Sequence, residues 1–465
     1  MFDFSTYTSQ IVCITPDSKA YTYKELSAKA NDLSGYLESH SLVFLMCSNT
    51  IGSLVGYVAF LQANCVSLLL NKETDPHLLD NLLQTYRPDY LWIPEKDLFL
   101  YPEWQFCVSI AGYSLLKNLD SSQIKMPSEL ALLLTTSGST GSPKLVRLSK
   151  KNLISNAKSI ATYLNITNEE KPITSLPMYY SFGLSVINSH LITGATILLT
   201  DFSYIQKEFW DFAVENNCTS FSGVPFTYEI LKKIKFWNKE IPTLRTLTQA
   251  GGKLDNSLLE YFVTNARQRN IRFYLMYGQT EATARMSYLP PESALEKLGS
   301  IGIAIPNGRF ELRNDSGDMI TEPDTVGELV YWGENVCLGY AESREDLLRG
   351  DDNNGVLYTG DLAYFDKGGF YYIAGRKKRF LKLFGNRISL DYTENLLKSI
   401  SPECVCVGTD NKMIIYTTEQ NKMEEIILFL ANTTKLNKTA FEVRYIDKIP
   451  RSDAGKILYS ELPVV

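Results

Sequence analysis

Apolar and polar positions follow two different periods along this chain. Leu26, Ala30, Leu33 and Leu37 recur at helical spacing behind Thr22 and Glu25, a pair spaced as a capping box, which predicts an amphipathic helix. A continuous apolar run at 42–46 predicts a buried strand, the run at 52–61 a helix, and 66–70 a second strand. Strand, helix and strand in that order predict an α/β sheet with parallel strands. Short strand patterns return at 130–134, 173–175, 196–199, 219–222 and 273–276. After Ser149, the positions Leu153, Ile154, Ala157, Ile160, Ala161 and Leu164 predict another amphipathic helix. From about 299 to 374 the texture changes to short strands broken by Gly, Asn and Asp turns, a β-rich subdomain. Beyond 375 a basic patch, GRKKRFLK, leads into mixed helix and strand patterns of roughly ninety residues, a size that suits one small α+β domain.

At 465 residues the chain is long enough for two or more domains with substantial cores. A net charge of −6 with no long basic run argues against nucleic acid as a partner. The eight cysteines include no CxxC pair, and Cys404 and Cys406 alternate within a strand-like stretch, which suits buried thiols better than a metal site. His40, His77 and His190 lie far apart in sequence and give a histidine metal centre little support. The apolar stretch 53–70 carries Gln62 and Asn64 in its middle, so it reads as helix then strand and not as a membrane span. The first ten residues lack the basic and apolar regions of a signal peptide, and a cytoplasmic location is expected.

The most informative stretch is TTSGSTGSPK at 135–144. A hydroxyl- and glycine-rich loop between a strand and a helix can wrap a polyphosphate: glycine lets the main chain approach, hydroxyls and N–H groups donate, and a lysine adds charge. Ser142 and Pro143 separate Gly141 from Lys144, which excludes the P-loop pattern of Gly-Lys followed by Ser or Thr. The string instead resembles the phosphate loop of the adenylate-forming superfamily, which includes acyl-CoA synthetases, adenylation domains of nonribosomal peptide synthetases, and firefly luciferase. Further stretches match that family in the same order. They are TYKELSAKANDLSGYL (22–37), LPMYYSFGLS (176–185), GVPFTYEIL (223–231), QAGGKL (249–254) and MYGQTEAT (276–283). GELVYWGENVCLGY (327–340), YTGDLAYFD (358–366), GRKKRFLKLFGNRI (375–388) and IPRSDAGKI (449–457) complete the series.

The resemblance implies a large N-terminal domain over 1–377 that binds ATP and a carboxylate, and a mobile C-terminal domain over 378–465, joined by a hinge. It assigns Thr136, Ser137, Gly138, Ser139, Thr140, Gly141 and Lys144 to the phosphates, Gly251, Gly252 and Tyr277 to the adenine, Asp361 to the ribose, and Arg376 to the ribose or phosphate side of the nucleotide. Thr280 reaches phosphate, and Glu281 holds Mg²⁺, which is chemically adequate because this hard cation takes one or two carboxylates plus phosphate oxygens and water. Read without the family, Thr280 and Glu281 also fit a helix start, with Thr280 capping and Glu281 meeting the dipole. Lys456 resembles the family's catalytic lysine, an ammonium that relieves the repulsion between a carboxylate and the α-phosphate. Lys378 matches the pivot position, and Lys382 and Gly385 the face used in a second half-reaction.

The implied substrate pocket holds Tyr180, Ser181, Phe182, Val224 and Gln279. Ser181 stands where peptide-synthetase domains carry an Asp for an α-ammonium, which turns the reading away from an ordinary amino acid. Tyr179-Tyr180 replaces an aromatic–His pair of acyl-CoA synthetases, Tyr459 replaces a common arginine, and Tyr392 occupies a commonly acidic position near Glu394. The implied activity is AMP-forming ligation of a small carboxylic acid to the phosphopantetheine thiol of CoA or of an acyl carrier protein on a separate chain. The alternatives are an amino-acid-activating ligase that loads a stand-alone carrier, and a non-catalytic nucleotide-binding scaffold.

Overall fold

A computed structural model describes residues 3–121, 124–135, 144–377, 379–383, 386–409, 412–434, 436–451 and 457–463. They form two compact units, Met1–Arg309 with Trp332–Leu357, and Phe310–Tyr331 with Tyr358–Val465.

The first unit is built on an eight-stranded sheet. Its central strands, Leu130–Thr135, Val66–Asn71, Leu42–Cys47 and Tyr90–Pro94, run parallel, and antiparallel strands flank them. These strands are buried on both faces, which is why they read as unbroken apolar runs and not as alternations. The helices Tyr23–Ser34 and Ile51–Gln62 cover one face, with the expected capping box at Thr22 and Glu25 in place. The helix Ile51–Gln62 is apolar nearly all round because it lies between the sheet and the rest of the core. Trp92 from the sheet anchors it, donating Nε1–H to the Gly52 carbonyl at 2.9 Å.

A second, five-stranded sheet carries the parallel strands Ser220–Gly223, Thr246–Gln249 and Arg272–Tyr277, followed by the antiparallel Ser287–Leu289 and Ile303–Ala304. The predicted strand at 173–175 is present only as isolated bridges, Pro172 to Ser220 and Ile173 to Leu198, because Pro172 has no N–H to extend a ladder. The predicted strand at 196–199 shortens to Ile197–Leu198. Among the described residues, no helix is long and apolar enough to cross a membrane.

The second unit contains the five-stranded sheet ordered Met319–Ile320, Arg309–Arg313, Gly327–Trp332, Val356–Phe365 and Tyr371–Arg376, the β-rich texture seen in the sequence. The hairpin Phe380–Leu383 with Asn386–Ser389, the helices Leu390–Leu397 and Met423–Thr434, and a three-stranded sheet make up its α+β portion. By compactness the β-rich strands therefore group with the C-terminal residues. Two hydrogen bonds tie these parts locally: Arg376 N–H donates to the Asp391 carboxylate at 2.9 Å, and Leu390 N–H to the Arg379 carbonyl at 3.0 Å.

In the first unit His190 is buried in the helix Ser181–Leu191, its Nδ1–H donating to the Val186 carbonyl at 2.7 Å. Burial pulls its pKa from 6.5 down to about 4. Below about pH 6.5 the unfolded chain protonates this imidazole while the folded chain resists until about pH 4, so stability falls as the pH drops through that interval. The expected loss between pH 7 and pH 4.5 is about 2 kcal/mol. Urea denaturation at both pH values checks it: His190→Gln should lose less stability over this range than the wild type by about that amount.

Candidate active site

Three of the sequence motifs leave the same edge of the second sheet. Gly223, Gln249 and Leu275 are aligned across its parallel strands, so GVPF, QAGG and YGQTE all begin at their carboxyl ends. Loops at that edge of a parallel sheet are where α/β proteins place ligands. The bridged segment at 172–173 runs alongside, delivering a fourth motif, LPMYYSFGLS, and the helix Ser181–Leu191.

The four loops pack against each other at their tips. Gly251 has φ +87°, a left-handed conformation, and a Cβ there would sit 2.7 Å from the Tyr180 hydroxyl and 3.2 Å from Val224 Cγ1. The buried Gln249 donates Nε2–H to the Gly252 carbonyl at 3.0 Å and fixes that turn. Gly278 lets the next loop double back, since a Cβ there would fall 1.8 Å from the Ala284 carbonyl oxygen. Ser181 and Thr280 hydroxyls meet at 3.2 Å, and Gln279 Nε2 lies 3.5 Å from the Tyr277 hydroxyl. Residues Thr280–Ala282 form one 3₁₀ turn with Gln279 at its N-cap position and no side-chain cap. The helix-start reading of Thr280 therefore gives way: its hydroxyl meets Ser181, and no helix follows.

Glu281 is held by a residue that the sequence reading did not single out. The Tyr340 hydroxyl donates to Glu281 Oε1 at 2.9 Å, and the Lys144 ammonium lies 3.7 Å over the Tyr340 ring and 3.4 Å from Glu342. Burial, and next the Glu281 carboxylate, push the Tyr340 phenol up, so it stays a neutral donor. The turn itself is strained: Thr283, a β-branched residue, has φ +66°. Asn335 braces it, donating Nδ2–H to the carbonyls of Ala282 and Arg285, both at 2.9 Å, while Thr283 Oγ1 donates to the Asn335 carbonyl at 2.7 Å. From the helix Lys150–Leu164, Asn156 donates to the Arg285 carbonyl at 2.9 Å and Asn152 to the Glu334 and Val336 carbonyls at 2.7 Å. The available signal was the four-residue spacing of these two asparagines beside an apolar helix stripe.

In the second unit, the buried Asp361 aligns with Arg376 across adjacent strands, with Arg376 Nε 3.4 Å from Asp361 Oδ1. Arg379 Nη2 meets Glu394 at 2.7 Å and the Cys406 carbonyl at 2.8 Å, and its Nη1 pairs with Asp391. Tyr459 receives Arg379 Nη1–H at 2.8 Å and donates to Glu394 Oε2 at 3.2 Å. Burial alone lowers the Arg379 pKa, but the hydrogen bond and charge of Glu394 outweigh it and raise the net value. Lys382 lies in the strand Phe380–Leu383 opposite Arg387. Thr136, Ser137, Gly138, Ser139, Thr140, Gly141, Lys378, Gly385 and Lys456 lie outside the described residues.

The donor set fits a phosphate-bound Mg²⁺. Glu281 offers a carboxylate oriented by Tyr340, and no group of three or more His, Cys, Asp or Glu side chains gathers among the described residues. A metal there would take its remaining ligands from phosphate and water, the habit of Mg²⁺. The Gly251–Gly252 turn fits a flat heterocycle, because it presents bare backbone where any Cβ would fill the space beside Tyr180 and Pro225.

Comparison with known proteins gives a consistent picture. The AMP-binding enzyme family matches residues 5–341. A 2-succinylbenzoate–CoA ligase of Bacillus cereus is 30% identical over 350 residues, 72% of this chain and 70% of that protein. An oxalate–CoA ligase of Saccharomyces cerevisiae is 29% identical over 364 residues, 73% of this chain; the match spans 65% of that longer protein. Among solved structures, an O-succinylbenzoate coenzyme A synthetase of Bacillus subtilis in complex with AMP superposes with a TM-score of 0.80 at 23% identity, covering 99% of this chain and 97% of that one.

The brace at Thr283 yields a direct test. Asn335→Ala removes one of two donors from each of the Ala282 and Arg285 carbonyls, since Ala284 N–H and Asn156 remain, and takes away the brace across the strained turn; it should destabilise the protein by about 1 kcal/mol. Urea denaturation at neutral pH measures it, and a change below a few tenths of a kcal/mol would show that the turn holds without the brace.

Proposed function

The chain belongs to the AMP-binding enzyme family, and on that premise we propose that it is an AMP-forming carboxylate–CoA ligase. The observation that carries the proposal is the convergence of four loops at one sheet edge, with bare backbone at Gly251–Gly252 beside the Ser181–Thr280 hydroxyl pair. Such a place suits a nucleotide and a carboxylate brought together.

Two displacements make up the reaction. A carboxylate oxygen attacks the α-phosphorus of ATP, the bond to the bridging oxygen breaks, and pyrophosphate leaves with that electron pair. The sulfur of the CoA thiol then attacks the acyl carbon; the thiol proton is lost and AMP departs, leaving the thioester. In the first step Thr136–Gly141 and Lys144 hold phosphates, Gly251, Gly252 and Tyr277 face the adenine, and Asp361 and Arg376 hold the ribose side. Glu281, kept in place by Tyr340, would hold Mg²⁺, and such an ion would supply charge neutralisation at the phosphates. Thr280 donates to phosphate, and Lys456 bridges the two anions as they approach. Tyr180, Ser181, Phe182, Val224 and Gln279 line the acid's pocket. A pivot at Lys378 exchanges the residues presented by 378–465, withdrawing Lys456 and bringing up Lys382 and Gly385 for thiol attack.

CoA is preferred over a carrier protein as the acceptor because the relatives are themselves named CoA ligases. Ser181 supplies a hydroxyl and no negative charge, which disfavours an α-amino acid.

ATP–pyrophosphate exchange with a panel of carboxylic acids, followed by thioester assay with CoA, tests the proposal; binding of ATP without exchange on any acid overturns it. Lys456→Ala should slow single-turnover adenylate formation by roughly 100-fold or more while ATP affinity changes only a few-fold. Lys382→Ala should spare exchange and slow thioester formation; equal loss in both half-reactions would contradict its assignment. Gly251→Ala should weaken ATP binding, and pairing it with Tyr180→Phe should restore part of the loss, because the clashing hydroxyl is gone.

A further inference from the structure

Between the helices Lys150–Leu164 and Ser181–Leu191 and the second sheet lies a narrow cavity: the space between its walling atoms is about 430 Å³ with open solvent included, and the room for the centre of a water-sized sphere is about 20 Å³, enough for a small polar group. Ile160, Phe182 and Met276 give it apolar walls, Ser222 and Thr248 add hydroxyls, and Arg285 brings a charge. Phe182 directly follows Ser181, whose hydroxyl meets Thr280, and Arg285 lies five residues beyond Thr280 on the same loop. Cavity and hydroxyl pair thus share these two segments.

Arg285 is unusual because its charge has no counterion. The residue is only 3% exposed. Its Nη1 donates to the Ala284 carbonyl at 3.0 Å and its guanidinium stacks 3.8 Å over the Phe182 ring, yet its buried Nη2 has no acceptor. No carboxylate pairs with it among the described residues. The neighbouring phenols, Tyr163 and Tyr180, are pushed up by burial and stay neutral, so the Tyr163 hydroxyl beside the guanidinium offers it a polar contact and no countercharge. Glu170, also on the cavity wall, is already engaged by the Thr219 hydroxyl and by Arg245 at 3.4 Å. A guanidinium keeps its proton even when burial lowers its pKa, so this cavity holds a permanent positive charge and an unused donor. Such a charge is strongly unfavourable without an anion beside it.

We propose that Arg285 determines substrate specificity: its unpartnered Nη2 receives a second carboxylate, so the acid activated here is a dicarboxylate whose distal group enters the cavity. This inference rests on the carboxylate-ligase reading above. Arg285 supplies recognition and takes no part in bond making, since the activated carboxylate is the other one.

The test is ATP–pyrophosphate exchange by the full chain with oxalate, succinate, glutarate, phthalate and 2-succinylbenzoate. Each is run beside the mono-amide, in which a neutral carboxamide replaces one carboxylate at nearly constant shape. The wild type should favour its best dicarboxylate over the mono-amide by roughly 100-fold in kcat/KM, because a neutral group leaves the buried charge unmatched. Arg285→Met should abolish that preference, chiefly through KM, while exchange with the mono-amide stays within a few-fold; Arg285→Lys should keep part of it. A merely structural role would lower the dicarboxylate and the mono-amide alike, and that result overturns the inference. If Arg285→Met does not fold, the wild-type ratio decides alone. Comparable wild-type rates on acid and mono-amide, or exchange only with monocarboxylates such as benzoate and hexanoate, overturn the inference and leave the ligase reading standing. Silence with every mono- and dicarboxylate overturns the ligase reading, and this inference with it.

Discussion

The candidate site depends on one strained turn. After the strand Arg272–Tyr277 the chain reverses within a few residues, and Thr283 takes a backbone conformation that a β-branched side chain disfavours. That reversal decides what each neighbour can reach. Thr280 meets Ser181, Glu281 meets Tyr340, and Arg285 turns back toward Phe182 and the cavity. An extended continuation would send these three side chains in unrelated directions. The strain, on the order of 1–3 kcal/mol for such a residue, persists because Asn335 and Asn156 tie the carbonyls on either side. Polar groups buried in the core thus do for the site what apolar packing does for the sheets.

Much of the architecture was legible because it rests on period and burial. The apolar runs at 42–46 and 66–70 appear as parallel strands, and the Thr22–Glu25 pair caps its helix. The motif loops were legible as chemistry, and their gathering follows from parallel register, which a motif search does not address. Tyr340 was hidden for a different reason. It lies fifty-nine residues from Glu281 in sequence, and it comes near through the pairing of the strand Gly339–Ala341 with Leu145–Ser149 and the Cys337 N–H donated to the Glu281 carbonyl at 2.8 Å. Arg285 is equally silent in sequence, where an arginine near a surface-like loop is the ordinary assumption; burial alone makes it notable. Thr280 misled in the opposite sense: its spacing to Glu281 suits a cap, but the doubling back at Gly278 leaves no helix to cap.

The second unit shows how the tyrosine expected to stand in for an arginine is accommodated. Tyr459 cannot replace an arginine's charge, yet it fits between Arg379 and Glu394 as both acceptor and donor, with the guanidinium 4.0 Å over its ring. The charge belongs to Arg379, already balanced by Asp391 and Glu394, so a neutral aromatic closes the network without adding an unmatched ion. The network is complete with a tyrosine at 459, its cation coming from Arg379 ahead of the strand Phe380–Leu383.

Arg147 and Arg285, both buried in the first unit, set the terms for reading an unsatisfied charge. Arg147, fully buried, spends its donors on the carbonyls of Leu338, Tyr340, Arg349 and Gly350 and pairs with Asp352. It ties the strand Leu145–Ser149 to the segment that carries Tyr340, and its charge is balanced within the fold. Arg285 is buried to nearly the same degree, yet its charge meets a phenyl ring and neutral hydroxyls. Burial by itself therefore does not explain the difference, since the same unit satisfies one arginine completely. If Arg285 served packing alone, methionine or leucine would fill the space without the electrostatic penalty. Retaining a charge where the fold provides no counterion has a physical rationale when the counterion arrives with a ligand, and the cavity beside it is where that ligand would sit.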